Sequence, residues 1–188
     1  ICFKKTHLFL YTSTMIFSNQ KTISKSVKLT GVGLHNGIDA ELEIKPANEN
    51  FGINFCRVDI DKNDLITANF KNVVEPVLCT KIANKNGITV STVEHLMAAF
   101  FGEGIDNALV EINASEVPIL DGSASEFVEA IRSAGIKEQT APRNFIQVKK
   151  KIEVREGEKF ISIEPSNNDL IIDFEIVEDE ADEVSAEE

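Results

Sequence analysis

The sequence predicts an α+β fold, a two-layer sheet-and-helix domain followed by the opening strands of a second domain. Three patterns carry that expectation. In "DAELEIKP", Ala40, Leu42 and Ile44 alternate with Glu41, Glu43 and Lys45, the period of a half-buried strand. In "STVEHLMAAFFGEGIDN", residues 91–107, Val93, Leu96, Met97 and Phe100 recur at the i, i+3, i+4, i+7 spacing of one helix face. From Phe145, "FIQVKKKIEVREGEKFISIEPSNNDLIIDFEI" reads as strand, turn, strand, turn, strand.

The elements follow in order. "VKLTGVGLHNG" begins as a strand and runs into a turn marked by Gly31, Gly33 and Gly37. The alternating strand stops at Pro46, and "GINFCRVDI" is another strand. "TKIANKNGITVS" places Asn86-Gly87 between two short apolar stretches, a hairpin signal. The first helix ends at Gly102 and Gly104, and "NALVEIN" follows as a strand. "DGSASEFVEAIRSAGI" is a second helix with Phe127, Val128, Ile131 and Ala134 on one face and Gly135 as its stop. The polar "KEQTAP" and Pro142 mark a junction. The expected organisation is a leader or upstream translation over residues 1–14, a first α+β domain over 15–140, the opening strands of a second over 141–177, and an acidic disordered tail over 178–188. Three strands without a helix bury little apolar area and expose unpaired edges.

Composition narrows the function classes. The 188 residues are 43% hydrophobic and 27% charged, ordinary for a soluble domain. The last eleven residues hold seven acids and no base, more than half of the net charge of −12. That balance argues against nucleic acid as a partner, because binding it usually takes a basic face. No apolar run approaches the roughly 20 residues of a membrane span. Cys2, Cys56 and Cys79 have no paired spacing, which fits a reducing, cytoplasmic compartment and rules out a zinc ribbon.

Glu94 and His95 stand in the first turn of an otherwise apolar helix. One reading is structural: Ser91-Thr92-Val93-Glu94 fits the S-x-x-E capping box, repeated by Ser123 to Glu126 on the second helix. The other is chemical. A helix N-terminus disfavours a positive charge and keeps His95 neutral for a metal, while Glu94, about 100° round the helix, reaches a water on that metal. One histidine does not make a catalytic zinc site, which takes about three protein ligands. The other histidines are His7 and His35. On spacing alone the structural reading is favoured, and the chemical one stalls at a single histidine.

"TGVGLHNG", "LCT", "STVEHLMAAFFGEGIDNALVEIN" and "VPILDGSASEFVEAI" together resemble the UDP-3-O-acyl-N-acetylglucosamine deacetylase family, zinc amidases of lipid A biosynthesis in Gram-negative bacteria. The resemblance runs in order from about Lys21 to Ile176. It implies two α+β domains of similar topology with the active site between them. It also implies removal of the N-acetyl group of UDP-3-O-acyl-N-acetylglucosamine, with Zn2+ as cofactor. By that resemblance His95 is a zinc ligand and Glu94 the general base. Asp121 is a polar partner near the metal or, equally, a turn or N-cap aspartate. Lys159 holds the nucleotide part of the substrate, with a solvated hairpin lysine as the alternative. His35 lies near the substrate or serves its turn. Cys79, in the "LCT" block, reads as a buried structural thiol.

The family takes two more zinc ligands from a His-Lys-x-x-Asp motif, and a general acid from a later histidine. Neither occurs in these 188 residues. The expectation is therefore twofold: a zinc-dependent deacetylase by lineage, or a truncated or frameshifted, catalytically incompetent remnant of one.

Overall fold

The computed structural model describes residues 2–11, 18–75, 77–166 and 171–177. The leading strands are β1 (Cys2–Tyr11), β2 (Asn19–Ile23), β3 (Val27–Val32), β4 (Asp39–Pro46), β5 (Ile53–Arg57) and β6 (Leu65–Thr67). The short β7 (Ile82–Ala83) and β8 (Thr89–Val90) precede helix α1 (Glu94–Glu103) and β9 (Ala108–Ile112). Helix α2 (Ser125–Ala134) then leads to β10 (Ile136–Pro142), β11 (Ile152–Glu156), β12 (Lys159–Ser166) and β13 (Ile171–Val177). The architecture is mixed α+β, with a five-stranded sheet and two helices. The chain divides into two compact units, Phe17–Arg143 and a second made of Ile1–Ile16 with Asn144–Glu188.

In the larger unit the sheet order is β3-β4-β9-β5-β6. β5 and β9 run parallel with Phe55 opposite Val110, and the remaining pairs are antiparallel. A parallel pair needs a long crossover. The chain between β5 and β9 provides it and contains α1. The alternation read in "DAELEIKP" is realised: Ala40, Leu42 and Ile44 are buried, while Lys45 reaches Glu111 at 2.6 Å on the opposite face. Leu96, Ala99 and Phe100 of α1 and Phe127, Ile131 and Ala134 of α2 join those residues, with Phe55, Val110 and Ile112, in one core. α1 stops at Gly104, which sits at φ 69 in the left-handed region.

Several local expectations need correction. Gly31 is not a turn residue; it lies inside β3, where a Cβ would come within 3.0 Å of the Pro118 Cβ. The hairpin around Asn86-Gly87 is real, with β7 and β8 antiparallel. Its loop is longer than two residues, and the Asn84 carboxamide accepts from the N–H groups of Asn86 and Ile88 at 3.0 Å each. The polar junction "KEQTAP" belongs to β10, which pairs antiparallel with β2. Neither strand has a clean alternation, so the pattern gave no warning. They are tied in by Asn107, 1% exposed, which donates to the side-chain oxygens of Gln20 at 2.8 Å and Gln139 at 2.7 Å and accepts from the Gly52 N–H at 2.8 Å.

The smaller unit is a sheet of order β11-β12-β1-β13. β11 and β12 form a hairpin with Glu156 opposite Lys159. Residues 2–11, read from sequence as a leader, form the strand between β12 and β13, parallel to the first and antiparallel to the second. A strand there supplies ladder partners to two edges that the sequence left unpaired. The acidic segment 178–188 lies outside the described residues. Among the described residues no helix is long and apolar enough to cross a membrane.

Removing the Phe127 ring from this core costs about 3–5 kcal/mol. Phe127→Ala is therefore expected to lower the urea midpoint strongly. Phe101→Ala, at a position 73% exposed, shifts stability by no more than about 0.5 kcal/mol. Equal midpoints for the two variants contradict this placement of the core.

Candidate functional site

Helix α1 presents Glu94 and His95 from its first turn, both half-buried, while Leu96 one step further round is fully buried. The apolar face fixes the helix against the sheet, and the 100° step per residue leaves the pair at the edge of that contact.

The capping box does not form. The N-cap is Val93, in the helical region and without a side-chain cap. Ser91 instead directs both its N–H and its hydroxyl to the Ser115 carbonyl, at 2.9 and 3.2 Å. The Glu94 carboxylate turns away from the helix and accepts the Thr80 N–H at 3.2 Å on each oxygen. A carboxylate in the first helical turn can choose between its own helix and a nearer donor, and the "LCT" segment supplies the donor. The second proposed box fails likewise: the N-cap of α2 is Ala124, and the Ser123 hydroxyl accepts from the Ser125 N–H at 3.0 Å.

Asp121 is an exposed turn aspartate. Its Oδ1 accepts the N–H and the hydroxyl of Ser123 at 2.9 Å each. Those bonds hold its carboxyl below the usual range, the backbone N–H foremost, and the His95 imidazole adds a smaller pull. Asp121 and His95 are therefore within electrostatic reach of each other. His35 is exposed in the turn at 33–37; its backbone N–H reaches the Glu116 carboxylate at 3.1 Å. Lys159 is exposed at the first position of β12, in the other unit. Cys79 is half-buried, not buried as expected, whereas Cys56 is buried and burial pushes its thiol up.

Sequence reasoning missed three participants. Thr80 is one, and Thr92 and Glu116 are the others: the Thr92 hydroxyl donates to Glu116 at 2.8 Å. Non-glycine residues with positive φ also stand just ahead of the site segments. These are Leu78 at 59° before Cys79-Thr80, Thr92 at 57° before Glu94-His95, and Leu120 at 52° before Asp121. Such strain persists where surrounding bonds over-determine it, and it gathers at functional sites. No residue type announces it in the sequence.

A metal ion is a stricter test. Among the described residues no three or more His, Cys, Asp or Glu side chains come together as a metal-holding group. His95, with Asp121 engaged by Ser123, offers one imidazole where a catalytic zinc takes about three protein ligands. These residues by themselves do not fit a complete zinc centre.

Glu116 carries the pH dependence of this region. Burial pushes its carboxyl up, but the bonds from Thr92, His35 and Asn36 outweigh burial and leave it lowered. A lowered folded-state value means stability that is complete above the unfolded glutamate range and lost as pH falls through the folded value. Acid titration of unfolding should show that loss in the parent chain and a flatter acid limb in Glu116→Gln. Parallel acid limbs contradict it.

The family model "LpxC: UDP-3-O-acyl N-acetylglycosamine deacetylase" matches residues 20–186. A UDP-3-O-acyl-N-acetylglucosamine deacetylase from Actinobacillus succinogenes is 46% identical over 158 residues, 82% of this chain and 52% of its own length. The protein of the same name from Pasteurella multocida is 45% identical over 159 residues, 83% of this chain and 52% of its own length. One from Shewanella violacea is 46% identical over 164 residues, 86% and 53%. The chain thus spans about half the length of the curated relatives it matches. With a family match over most of its residues, the chain belongs to the UDP-3-O-acyl N-acetylglycosamine deacetylase family.

Proposed function

We propose that this chain carries the first-domain half of a deacetylase active site that cleaves the N-acetyl amide of UDP-3-O-acyl-N-acetylglucosamine, releasing acetate and a free amine. The observation that supports it most is the Glu94-His95 pair in the first turn of α1, with Asp121 in electrostatic reach, in a chain of this family. Phe17–Arg143 would be one of two similar α+β domains, and the strands after it the start of the other. A cytoplasmic location goes with the reading.

Each residue then has a role set by its own chemistry. The Glu94 carboxylate is acceptor-only when ionised, is oriented by the Thr80 N–H, and takes the proton of the attacking water as general base. His95, in the first turn of α1 and half-buried, offers a ring nitrogen as a ligand. Asp121 is the anionic neighbour that steadies that ring. His35 and Lys159 contact the substrate, Lys159 at its nucleotide part. A zinc ion held by His95 together with ligands from outside these residues would supply Lewis acidity.

For these 188 residues acting alone a second reading is a catalytically incompetent half-site, because the family's His-Lys-x-x-Asp motif and its later histidine do not occur in them. A chimera separates the two. With Phe17–Arg143 placed in the Pasteurella multocida enzyme in exchange for its corresponding part, zinc-dependent acetate release is expected. Glu94→Gln should lower kcat by about 10²–10⁴-fold, and His95→Ala should cost bound zinc. A folded chimera that releases no acetate contradicts the deacetylase reading. The 188-residue chain alone is expected to release none; turnover by it contradicts the half-site reading.

A further inference from the structure

The deepest polar side chain near the site belongs to a residue with no assigned role. Glu116 is 1% exposed. A carboxylate so far from water is costly unless its oxygens are fully engaged. They are: Oε1 accepts the Thr92 hydroxyl at 2.8 Å, Oε2 accepts the Asn36 N–H at 3.0 Å, and the His35 N–H lies 3.1 and 3.2 Å from the two oxygens. The donors come from two separate places, the turn at 33–37 and the residues just before α1.

The chain around Glu116 is tied to both places by further bonds, through backbone to Ser91 and through a side chain to Asn36. Ser91 N–H donates to the Ser115 carbonyl at 2.9 Å, and the Val117 N–H returns to the Ser91 carbonyl at 3.0 Å. Asn36 Nδ2 reaches Ser115 Oγ at 3.3 Å. Gly33 leaves room for the carboxylate; a Cβ there would stand 2.6 Å from Glu116 Oε2. Thr92, one of the donors, is held at φ 57, where a β-branched residue is strained. The hydroxyl bond to Glu116 is the contact that offsets that strain, and the next two residues but one along the chain are Glu94 and His95.

We propose that Glu116 is a positioning residue for the deacetylase half-site, an internal anion that clamps the His35 turn to the start of α1 and so fixes where Glu94 and His95 point. The proposal rests on the deacetylase reading for its functional meaning. It uses no substrate contact: Glu116 acts through Thr92 on one side and through the His35 and Asn36 amides on the other.

The test is local exchange and ring spectroscopy on the 188-residue chain. Thr92→Val removes one hydroxyl at nearly constant shape, and Glu116→Leu removes all the accepted bonds. In both, amide exchange at Thr80, whose N–H is held by Glu94, should rise at least tenfold, and the His95 ring nitrogen signals should shift or broaden. Exchange at Leu42 and Val110 in the central strands should stay unchanged. A residue that merely fills the core would move all of these together. Uniform acceleration, or no change at Thr80 and His95, overturns the proposal; should Glu116→Leu fail to fold, Thr92→Val decides it. The failures are separable, because exchange and ring signals report on Glu116, whereas acetate release by the Glu94→Gln chimera reports on the reading it rests on.

Discussion

Asn107 and Glu116 are each 1% exposed, and neither can stay there without a full set of hydrogen bonds. That constraint organises the larger unit. Asn107 spends its carboxamide on Gln20, Gln139 and the Gly52 backbone, which draws the paired strands β2 and β10 onto the five-stranded sheet. Glu116 spends its carboxylate on the turn at 33–37 and on Thr92. Apolar burial supplies the bulk of the driving force, but it is non-directional. These two hubs settle which loop meets which helix end.

The site inherits its geometry from that arrangement. α1 is a crossover helix whose apolar face is committed to the core, so its first turn has little freedom of orientation. Glu94 is then pulled off its own helix by the Thr80 N–H, and Asp121 is set in a tight turn by Ser123. Thr80 and Glu94 meet through that bond, and the segments holding Thr80, Glu94 and Asp121 each follow closely on a residue with positive φ. The result is a carboxylate and an imidazole side by side at the positive end of a helix, which suits a general base beside a metal ligand. One imidazole falls short of a zinc centre, in keeping with a chain that covers about half the length of its relatives.

Much of the fold was legible because its signals are periodic. Ala40, Leu42 and Ile44 alternate, and Leu96 and Phe100, or Phe127 and Ile131, fall on one helical stripe. The misses came where a non-local partner decided the outcome. β2 and β10 have weak patterns of their own and exist through pairing. Gly31 looked like a turn and is a strand glycine that lets Pro118 pack close against β3. Ser91 and Glu94 match a capping box in sequence, but Ser115 and Thr80 offer competing partners. At the site, Glu94 and His95 were visible as a polar pair in an apolar helix, whereas Glu116 in "SEVPIL" looks like any surface acid until its burial is seen.

The proposed role of α1 is to present a metal-ligating imidazole beside a carboxylate, with the remaining ligands supplied from outside these residues. The deciding measurement is anomalous diffraction at the zinc edge from crystals of the chimera that carries Phe17–Arg143. A zinc peak at a ring nitrogen of His95 is the predicted result. A fully occupied zinc site in that chimera with no contact to His95 would contradict it.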